Sequence, residues 1–315
     1  MPKGVSISPD GTRLYVTNYG QLDHDNVSIV DAQSLAVLGH IDVPGIVVES
    51  VVSPDGRTLY VSNFRRHSVQ FIDLGTRTVA REVHVGVNPK VVVLSRDGRR
   101  LFAANWTSGD VTEVDTVAGT AVRTLRAGRN PRGMAIARDG RLYVANSTSD
   151  EIDIYEGPTM AAHRRIPHVC RVPRHLSLSP DDTRLYVSCL LNGYLAVMDT
   201  ATMRVIRRVS VASGPKSNDV SPDGRYVATA DYNAHSVSII DTTDWAVRRI
   251  FVATADRTSG VVWARTGFRI FVTGWFDDHV YAIGETGTLP PIRPSHRQLE
   301  QTARSRERHN AVSGE

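Results

Sequence analysis

Short runs of alternating apolar and polar residues recur along the chain and predict β-strands. Residues 14–16, 59–61 and 142–144 each read Leu-Tyr-Val, and such β-branched and aromatic residues favour pleated, half-buried strands. Turns of the Ser-Pro-Asp-Gly type precede them, as at 53–56, where proline presets φ and glycine accepts positive φ. Helical periodicity is weak throughout, so the pattern predicts an all-β protein.

The strand pattern repeats with a nearly constant period. One residue of the tight turn marks each unit: Asp10, Asp55, Asp97, Asp139, Asp181, Asp223 and a degenerate Thr266. Successive steps are 45, 42, 42, 42, 42 and 43 residues. An acidic residue ending the third strand keeps the same register: Asp31, Asp73, Asp115, Glu156, Asp199 and Asp241. A period near 42 with four short strands per unit is typical of propeller blades. The sequence therefore predicts a seven-bladed β-propeller of four-stranded antiparallel blades.

The predicted domain is a single propeller over residues 1–284, followed by a tail over 285–315. Blade 7 lacks a fourth strand after its third, which we expect at 279–283. Residues 287–292 can supply an outer edge strand, although two prolines make this segment a poor one. Beyond about Pro294 the tail is rich in Arg, Glu and Ser, a composition that predicts disorder.

The strand after each tight turn carries a recognisable motif. Residues 15–18 read Tyr-Val-Thr-Asn, and variants follow at 60–63, 143–146 and 186–189. The chain thus resembles the YVTN-repeat propellers over residues 1–284. That family includes exported binding proteins, surface proteins, lactonase-type hydrolases and propeller subunits of amine dehydrogenases. The resemblance implies the fold, and any transfer of function would rest on fold analogy alone.

Composition narrows the function classes only a little. The formal charge is +4, with 37 Lys and Arg against 33 Asp and Glu, which is not a nucleic-acid-binding composition. No apolar run is long enough to span a bilayer. Met1-Pro2-Lys3 leads directly into a repeat, so we expect a cytoplasmic protein, or an exported one whose leader lies upstream. No cofactor is predicted, and the oligomeric state stays open.

One face of the predicted disc carries the b–c and d–a loops of the blades, and we call it the site face. The residue after each YVTN-like motif is aromatic in five blades of seven: Tyr19, Phe64, Trp106, Tyr232 and Trp275. The d–a loops present cations in five blades of seven: Lys3, Lys90, Arg132, Arg174 and Lys216. Aromatic faces interleaved with cations suit a flat or anionic ligand. The alternative is that both sets only pack against neighbouring loops.

Three residues interrupt the repeat on the innermost strands. Glu49 and His175 follow the d–a position where other blades have small or apolar residues, and Asp219 lies in a fully polar stretch. Near Lys216 and Arg174, a carboxylate and an imidazole can do general acid–base work. We therefore take Glu49, His175, Asp219 and Lys216 as catalytic candidates. The alternative is that they hydrogen-bond to each other or hold channel water.

Histidines and cysteines give weaker indications. His67, His235 and His279 fall in b–c loops without metal-ligand spacing, so solvated loop residues are favoured and no metal site is predicted. Cys170 and Cys189 both map to the site face of blade 5. They can form one disulfide or a thiolate site with a histidine, but free thiols are the favoured interpretation.

Paired arginines at 164–165, 207–208 and 248–249 fall on predicted outermost strands. We interpret them as protection against edge-to-edge strand pairing, in preference to a basic rim that binds nucleic acid.

Three functions remain from the sequence. The first is a propeller that binds a small anionic or aromatic ligand, or a peptide, at the channel mouth. The second is an enzyme, a hydrolase, lyase or isomerase, that uses the acid–base residues in the same mouth. The third, less favoured, is a nucleic-acid-binding propeller, for which a steep salt dependence of affinity would be diagnostic.

Overall fold

The computed structural model describes residues 1–252, 256–284 and 287–288. All regular structure in these residues is β-strand, and no helix there could cross a membrane. The strands are β1 (Pro2–Ile7), β2 (Arg13–Asn18), β3 (Val27–Asp31), β4 (Val37–Ile41), β5 (Val47–Val52), β6 (Thr58–Asn63), β7 (Ser68–Asp73), β8 (Thr78–His84), β9 (Pro89–Leu94), β10 (Arg100–Asn105), β11 (Asp110–Asp115), β12 (Thr120–Arg126), β13 (Pro131–Ile136), β14 (Leu142–Asn146), β15 (Glu151–Glu156), β16 (Ala162–Pro167), β17 (Pro173–Leu178), β18 (Arg184–Cys189), β19 (Tyr194–Asp199), β20 (Arg204–Ser210), β21 (Pro215–Val220), β22 (Tyr226–Asp231), β23 (Ser236–Asp241), β24 (Val247–Phe251), β25 (Thr258–Trp263), β26 (Arg269–Gly274), β27 (Val280–Gly284) and β28 (Gly287–Thr288).

The strands form seven antiparallel sheets, each built from four consecutive strands. The first strand of every sheet contacts the first strand of the next, and β25 contacts β1, which closes the ring. The predicted seven-bladed propeller is therefore confirmed. Blade 7 has three full strands, and Gly287–Thr288 pairs with Ile283–Gly284 at its outer edge. The remainder of the predicted tail, including residues 289–292, lies outside the described residues.

The Ser-x-Asp turns between the first and second strands are held by one recurring network. In blade 2 the Ser53 hydroxyl donates to Asp55 at 2.5 Å, and Asp55 accepts the Arg57 amide at 3.1 Å. The serine hydrogen bond, together with that amide, lowers the pKa of the Asp55 carboxyl. Gly56 follows at a φ of +72°, a conformation that side chains with a Cβ rarely adopt. This network explains why the turn aspartates mark the period so clearly.

The threonine of the YVTN motif joins neighbouring blades. The Thr17 hydroxyl donates to the Val48 carbonyl of blade 2 at 2.7 Å, and Ser62 donates to the Lys90 carbonyl of blade 3 at 2.8 Å. Thr273 makes the same bond from blade 7 to the Lys3 carbonyl of blade 1, at 2.9 Å. These bonds reach the d–a segments, so the motif fixes the backbone that carries the cations.

Apolar side chains fill the spaces between blades. Leu14 of blade 1 and Phe271 of blade 7 belong to one cluster of buried residues, and Tyr143 of blade 4 packs in a cluster with Leu185 of blade 5. Burial of this kind contributes about 25 cal/mol per Å² of apolar surface. The paired arginines lie on β16, β20 and β24, the outermost strands of blades 4 to 6, as predicted. Apolar packing thus holds the blades together, and the paired arginines leave charge on the rim. The mouth of the channel is not part of this packing and can hold a site.

Candidate functional site

A cavity of about 470 Å³ opens at the mouth of the central channel on the site face, and we call it the mouth cavity. Five blades contribute their d–a cations, and four contribute the residue that follows the YVTN-like motif. Its lining consists of Lys3, Tyr19, Val48, Lys90, Arg132, Arg174, Leu190, Leu191, Lys216, Tyr232, Asn233 and Trp275. All five predicted cations and three of the five predicted aromatics therefore surround one space.

The cations of the mouth cavity are poorly compensated. Lys3, Arg132 and Lys216 are buried, and Lys90 and Arg174 are half-buried. Glu49 is the one carboxylate that pairs with them among the described residues, and its Oε1 lies 3.9 Å from the Lys3 ammonium. Five formal positive charges thus face one negative charge in a partly dehydrated space.

Burial lowers the pKa of every one of these cations, and repulsion by neighbouring cations lowers it further for all of them except Arg132. The pKa of Lys90 falls to about 6, first through burial and then through the charges of Arg132 and Lys3. The pKa of Lys3 falls to about 7 through burial, although Glu49 opposes that shift. Burial also lowers the pKa of Arg132, Arg174 and Lys216. A bound anion would relieve this unfavourable electrostatic energy.

The aromatic residues lie against the lysines. The Lys90 ammonium is 3.7 Å from the centroid of the Trp106 ring and 5.5 Å from that of Phe64. The other two lysines have similar neighbours: Lys216 is 4.2 Å from the Tyr232 centroid and 3.9 Å from the Trp275 centroid, and Lys3 is 5.6 Å from the Tyr19 centroid. All five predicted aromatics therefore lie on the site face, and each contacts a lysine of the mouth.

Glu49 and His175 lie one residue further down the channel than the cations. Glu49 pairs with Lys3, and its side chain is 30% exposed. The His175 ring has a buried Nδ1 without a hydrogen-bond partner. Burial, and then the charge of Arg132, lowers the pKa of His175 to about 4, so the ring is neutral at pH 7. A neutral imidazole and a carboxylate beside the mouth suit acid–base work, and that role stays a prediction.

Asp219 lies at the junction of blades 6 and 7, bonded to Trp263. Its Oδ2 accepts the Trp263 amide of blade 7 at 2.8 Å, and its carbonyl accepts the Trp263 indole N–H at 3.1 Å. Burial raises the pKa of its carboxyl to about 6. Asp219 comes three residues after Lys216, which places it roughly 10 Å deeper along a strand. Its contacts join blades 6 and 7, whereas Lys216 itself lines the mouth cavity.

Cys170 and Cys189 form a disulfide, with their Cα atoms 5.7 Å apart. The expectation of free thiols is therefore wrong, and the expectation that the two residues are neighbours is confirmed. Register brings them together, because Pro173 at the start of β17 pairs with Cys189 at the end of β18. A thiolate site is excluded by the bond.

Two of the three loop histidines bond to the backbone of the next d–a segment, whereas His279 Nδ1 contacts the Asp277 carbonyl of its own loop. His67 Nδ1 accepts the Asn88 amide at 3.1 Å, and His235 Nδ1 accepts the Arg257 amide at 3.2 Å. Both residues have positive φ, near 54° and 53°. Within residues 1–252, 256–284 and 287–288, no group of three His, Cys, Asp or Glu lies close enough to hold a metal ion.

The sequence did not single out every residue that lines the mouth cavity. Val48 and Leu190 occupy the cation and aromatic positions of blades 2 and 5, so the repeat itself pointed to them. Leu191 and Asn233 follow these aligned positions by one residue. A second, larger cavity of about 850 Å³ lies between the rims of blades 3 and 4 and includes His163. No repeat position indicated that cavity.

Comparisons with known proteins agree with this architecture. A model of the YNCE-like β-propeller family matches residues 134–283, and a model of the cytochrome D1 heme domain matches residues 10–116. Antigen Lp49 of Leptospira interrogans is 30% identical over 112 residues, which are 31% of this chain and 24% of that protein. The match therefore spans about a quarter of the curated relative.

Two solved structures share the fold at low sequence identity. Hydrazine synthase of Kuenenia stuttgartiensis superimposes with a TM-score of 0.81 and 23% identity, covering 91% of this chain and 96% of that one. The dihydro-heme d1 dehydrogenase NirN, in complex with DHE, gives a TM-score of 0.69 and 20% identity, covering 93% of this chain and 65% of that one. The chain is thus a seven-bladed β-propeller, similar over one segment to YNCE-like propellers and over another to cytochrome d1 heme domains.

Proposed function

We propose that the mouth cavity binds a planar ligand that carries several carboxylates, with a tetrapyrrole as the best-fitting class. The observation that carries the proposal is the composition of the cavity, in which five basic side chains face one carboxylate between aromatic rings. A volume of about 470 Å³ is within the usual range of small-molecule pockets. Aromatic walls contribute stacking surface, and cations contribute charge-assisted hydrogen bonds.

The comparisons support this class of ligand. Residues 10–116 match a heme domain, and NirN was solved in complex with DHE. The residues of the mouth cavity fit the carboxylates of such a group, because Arg174 Nε is buried without a hydrogen-bond partner. Tyr19, Tyr232 and Trp275 would lie against the ring. A bound heme would supply redox chemistry at its iron.

The donor set limits what the protein can do for an iron. The lining residues include the hydroxyls of Tyr19 and Tyr232 but no His, Cys or Met. Tyrosine is one of the side chains that bind heme iron. The proposal therefore concerns recognition of the ring and its carboxylates, and metal-free porphyrins are suitable probes.

An enzyme that works in the same mouth is the second candidate. The observation in its favour is His175, which is neutral at pH 7 and has an unpartnered Nδ1. If the bound ligand is also a substrate, Glu49→Gln with His175→Ala should lower turnover by about 10²-fold or more. Full turnover in that double variant would leave a binding protein.

The proposed function is tested with deuteroporphyrin IX and its dimethyl ester, which has the same ring without charge. Trp106 and Trp275 lie at the mouth, so binding should quench tryptophan fluorescence. We expect the free acid to bind at least about tenfold more tightly than the ester, in dilute non-ionic detergent. Equal binding of the two, or binding of neither, would refute the proposal. A single-stranded oligonucleotide that displaces the porphyrin would favour the nucleic-acid alternative.

A further inference from the structure

The channel mouth, taken around all seven blades, has two sectors of different chemistry. Blades 6, 7, 1, 2 and 3 present an aromatic residue after the YVTN-like motif, whereas blades 4 and 5 present Ser147 and Leu190. The cations divide in the same way, because blades 1, 3 and 6 carry lysine and blades 4 and 5 carry arginine. Arginine therefore stands in the two blades that lack the aromatic ring.

The lysines of the aromatic sector are already engaged. Lys90 and Lys216 each lie within 4 Å of one ring centroid, and Lys3 has both Tyr19 and the Glu49 carboxylate near its ammonium. A cation over an aromatic face is held by the ring quadrupole. These lysines thus have partners before any ligand binds.

The two arginines have no comparable partner. Neither Arg132 nor Arg174 has an ion pair or an aromatic face beneath it in the part of the chain that the structure describes. Arg132 is only 8% exposed, and the buried Nε of Arg174 lacks a hydrogen bond. A buried guanidinium without an acceptor is costly, and a carboxylate satisfies it in a bidentate geometry.

Close packing of the inner strands places the two arginines side by side. They precede Gly133 on β13 and His175 on β17. A Cβ built on Gly133 would lie 2.5 Å from His175 Cα and 2.8 Å from the Arg174 carbonyl oxygen. Glycine is therefore required for the strands to approach so closely. Because β13 and β17 lie so close together, Arg132 and Arg174 reach the same edge of the cavity.

We propose that Arg132 and Arg174 form a clamp for two carboxylates on one edge of the ligand, while the lysine–aromatic pairs form the wall on which its ring stacks. This assignment rests on the proposed function and refines it. It selects planar ligands whose acidic groups lie together, such as a porphyrin with two adjacent propionates, over ligands with charges spread around the ring.

The test compares Arg132→Gln and Arg174→Gln with the matched control Lys216→Gln, using deuteroporphyrin IX and its dimethyl ester. Each arginine variant should weaken binding of the acid by about tenfold or more and leave binding of the ester within about twofold. Arg174→Lys should restore only part of the loss, because lysine cannot make the bidentate contact. The control should change the ratio of the affinities for acid and ester by less than either arginine variant does.

Thermal unfolding without ligand shows whether a variant binds weakly because it lacks the arginine or because it is misfolded. Removing one buried cation relieves repulsion, so Arg174→Gln should melt at or above the wild-type temperature. A lower melting temperature together with weaker binding of both porphyrins would indicate a structural role and overturn the clamp. A larger loss of acid binding in Lys216→Gln than in either arginine variant would also overturn it.

A second probe distinguishes failure of the clamp from failure of the proposed function. Phthalate carries two adjacent carboxylates on a small ring. In one outcome, phthalate raises the melting temperature of the wild type but not of the two arginine variants, while the wild type binds no porphyrin. That result would support the clamp and refute the tetrapyrrole class. Porphyrin binding that is unchanged in both arginine variants would support the tetrapyrrole class and refute the clamp. Binding of neither probe would refute both proposals.

Discussion

Asp231 occupies a position where a carboxylate is costly. Four other blades have asparagine at the end of the second strand: Asn18, Asn63, Asn105 and Asn146. Asp231 is fully buried and accepts hydrogen bonds from Ser238 at 2.6 Å and Thr229 at 2.8 Å. Burial outweighs these bonds and raises the pKa of its carboxyl from 3.8 to about 6. Replacement by asparagine would restore the repeat and remove the charge.

The pKa shift sets the expected gain. A carboxyl whose folded pKa lies above its unfolded pKa favours the folded state fully below pH 3.8, and this advantage is lost as the pH rises through 6. A shift of roughly two pKa units corresponds to about 3 kcal/mol. Asp231→Asn should therefore increase the free energy of unfolding by about 2–3 kcal/mol at pH 8 and by little at pH 4. In blade 1 the Asn18 amide donates to the Ser28 hydroxyl at 2.8 Å, and an asparagine at position 231 would find Ser238 in the equivalent place.

The assay is urea unfolding of both proteins at several pH values between 4 and 8, followed by circular dichroism. Asp219 titrates in both proteins and cancels in the comparison. The reverse substitution Asn18→Asp is the matched control, and it should destabilise blade 1 increasingly above pH 6. Equal pH dependence in wild type and Asp231→Asn would refute the reasoning, because it would mean that Asp231 is not the group that titrates.

Two further predictions concern the disulfide and the mouth cavity. Replacing Cys170 and Cys189 by alanine opens a loop of 19 residues, which should lower the free energy of unfolding by about 3 kcal/mol in denaturant titrations. Under reducing conditions the wild type also lacks the bond, so its stability should fall to that of the alanine variant. A difference between the two proteins that persists under reducing conditions would contradict the entropic explanation. Because the pKa of Lys3 lies at about 7, affinity for deuteroporphyrin IX should fall as the pH rises from 6 to 8. Fluorescence titrations at each pH measure this, and an affinity that rises with pH would show that the lysine charge does not support binding.

The blades could be predicted from the sequence because every repeat needs the same residue types in its tight turn and in the strand that follows. Asp55 and its equivalents organise the tight turns, so their spacing revealed the number of blades. The aligned cations and aromatics were also predictable, since a residue in a given repeat position lies at one height in the ring. The depth of a residue along the channel was harder to judge from the sequence. Asp219 is polar like His175, but it lies two residues further along its strand, β21, than His175 does along β17. There it contacts blade 7.

Other features depend on contacts between repeats, which a pattern within one repeat does not contain. The pairing of Cys170 with Cys189 follows from the register of β17 with β18. The contact between Gly133 and His175 depends on how closely two blades approach. Gly133 stands at a repeat position where small or apolar residues are common, and the structure makes it a site where any side chain would force two strands apart.

The hydroxyl bond from Thr273 to the Lys3 carbonyl makes the closing junction chemically equivalent to the junctions at Thr17 and Ser62. No strand of the described residues crosses from one sheet to another, so a junction can part while all seven sheets keep their internal hydrogen bonds. Blades 3, 4 and 6 have alanine in place of the hydroxyl residue, and the junction of blades 6 and 7 is held instead by the hydrogen bonds between Asp219 and Trp263. Closure of the ring within the described residues therefore depends on contacts of side chains with the neighbouring blade, and not on a strand shared by two blades.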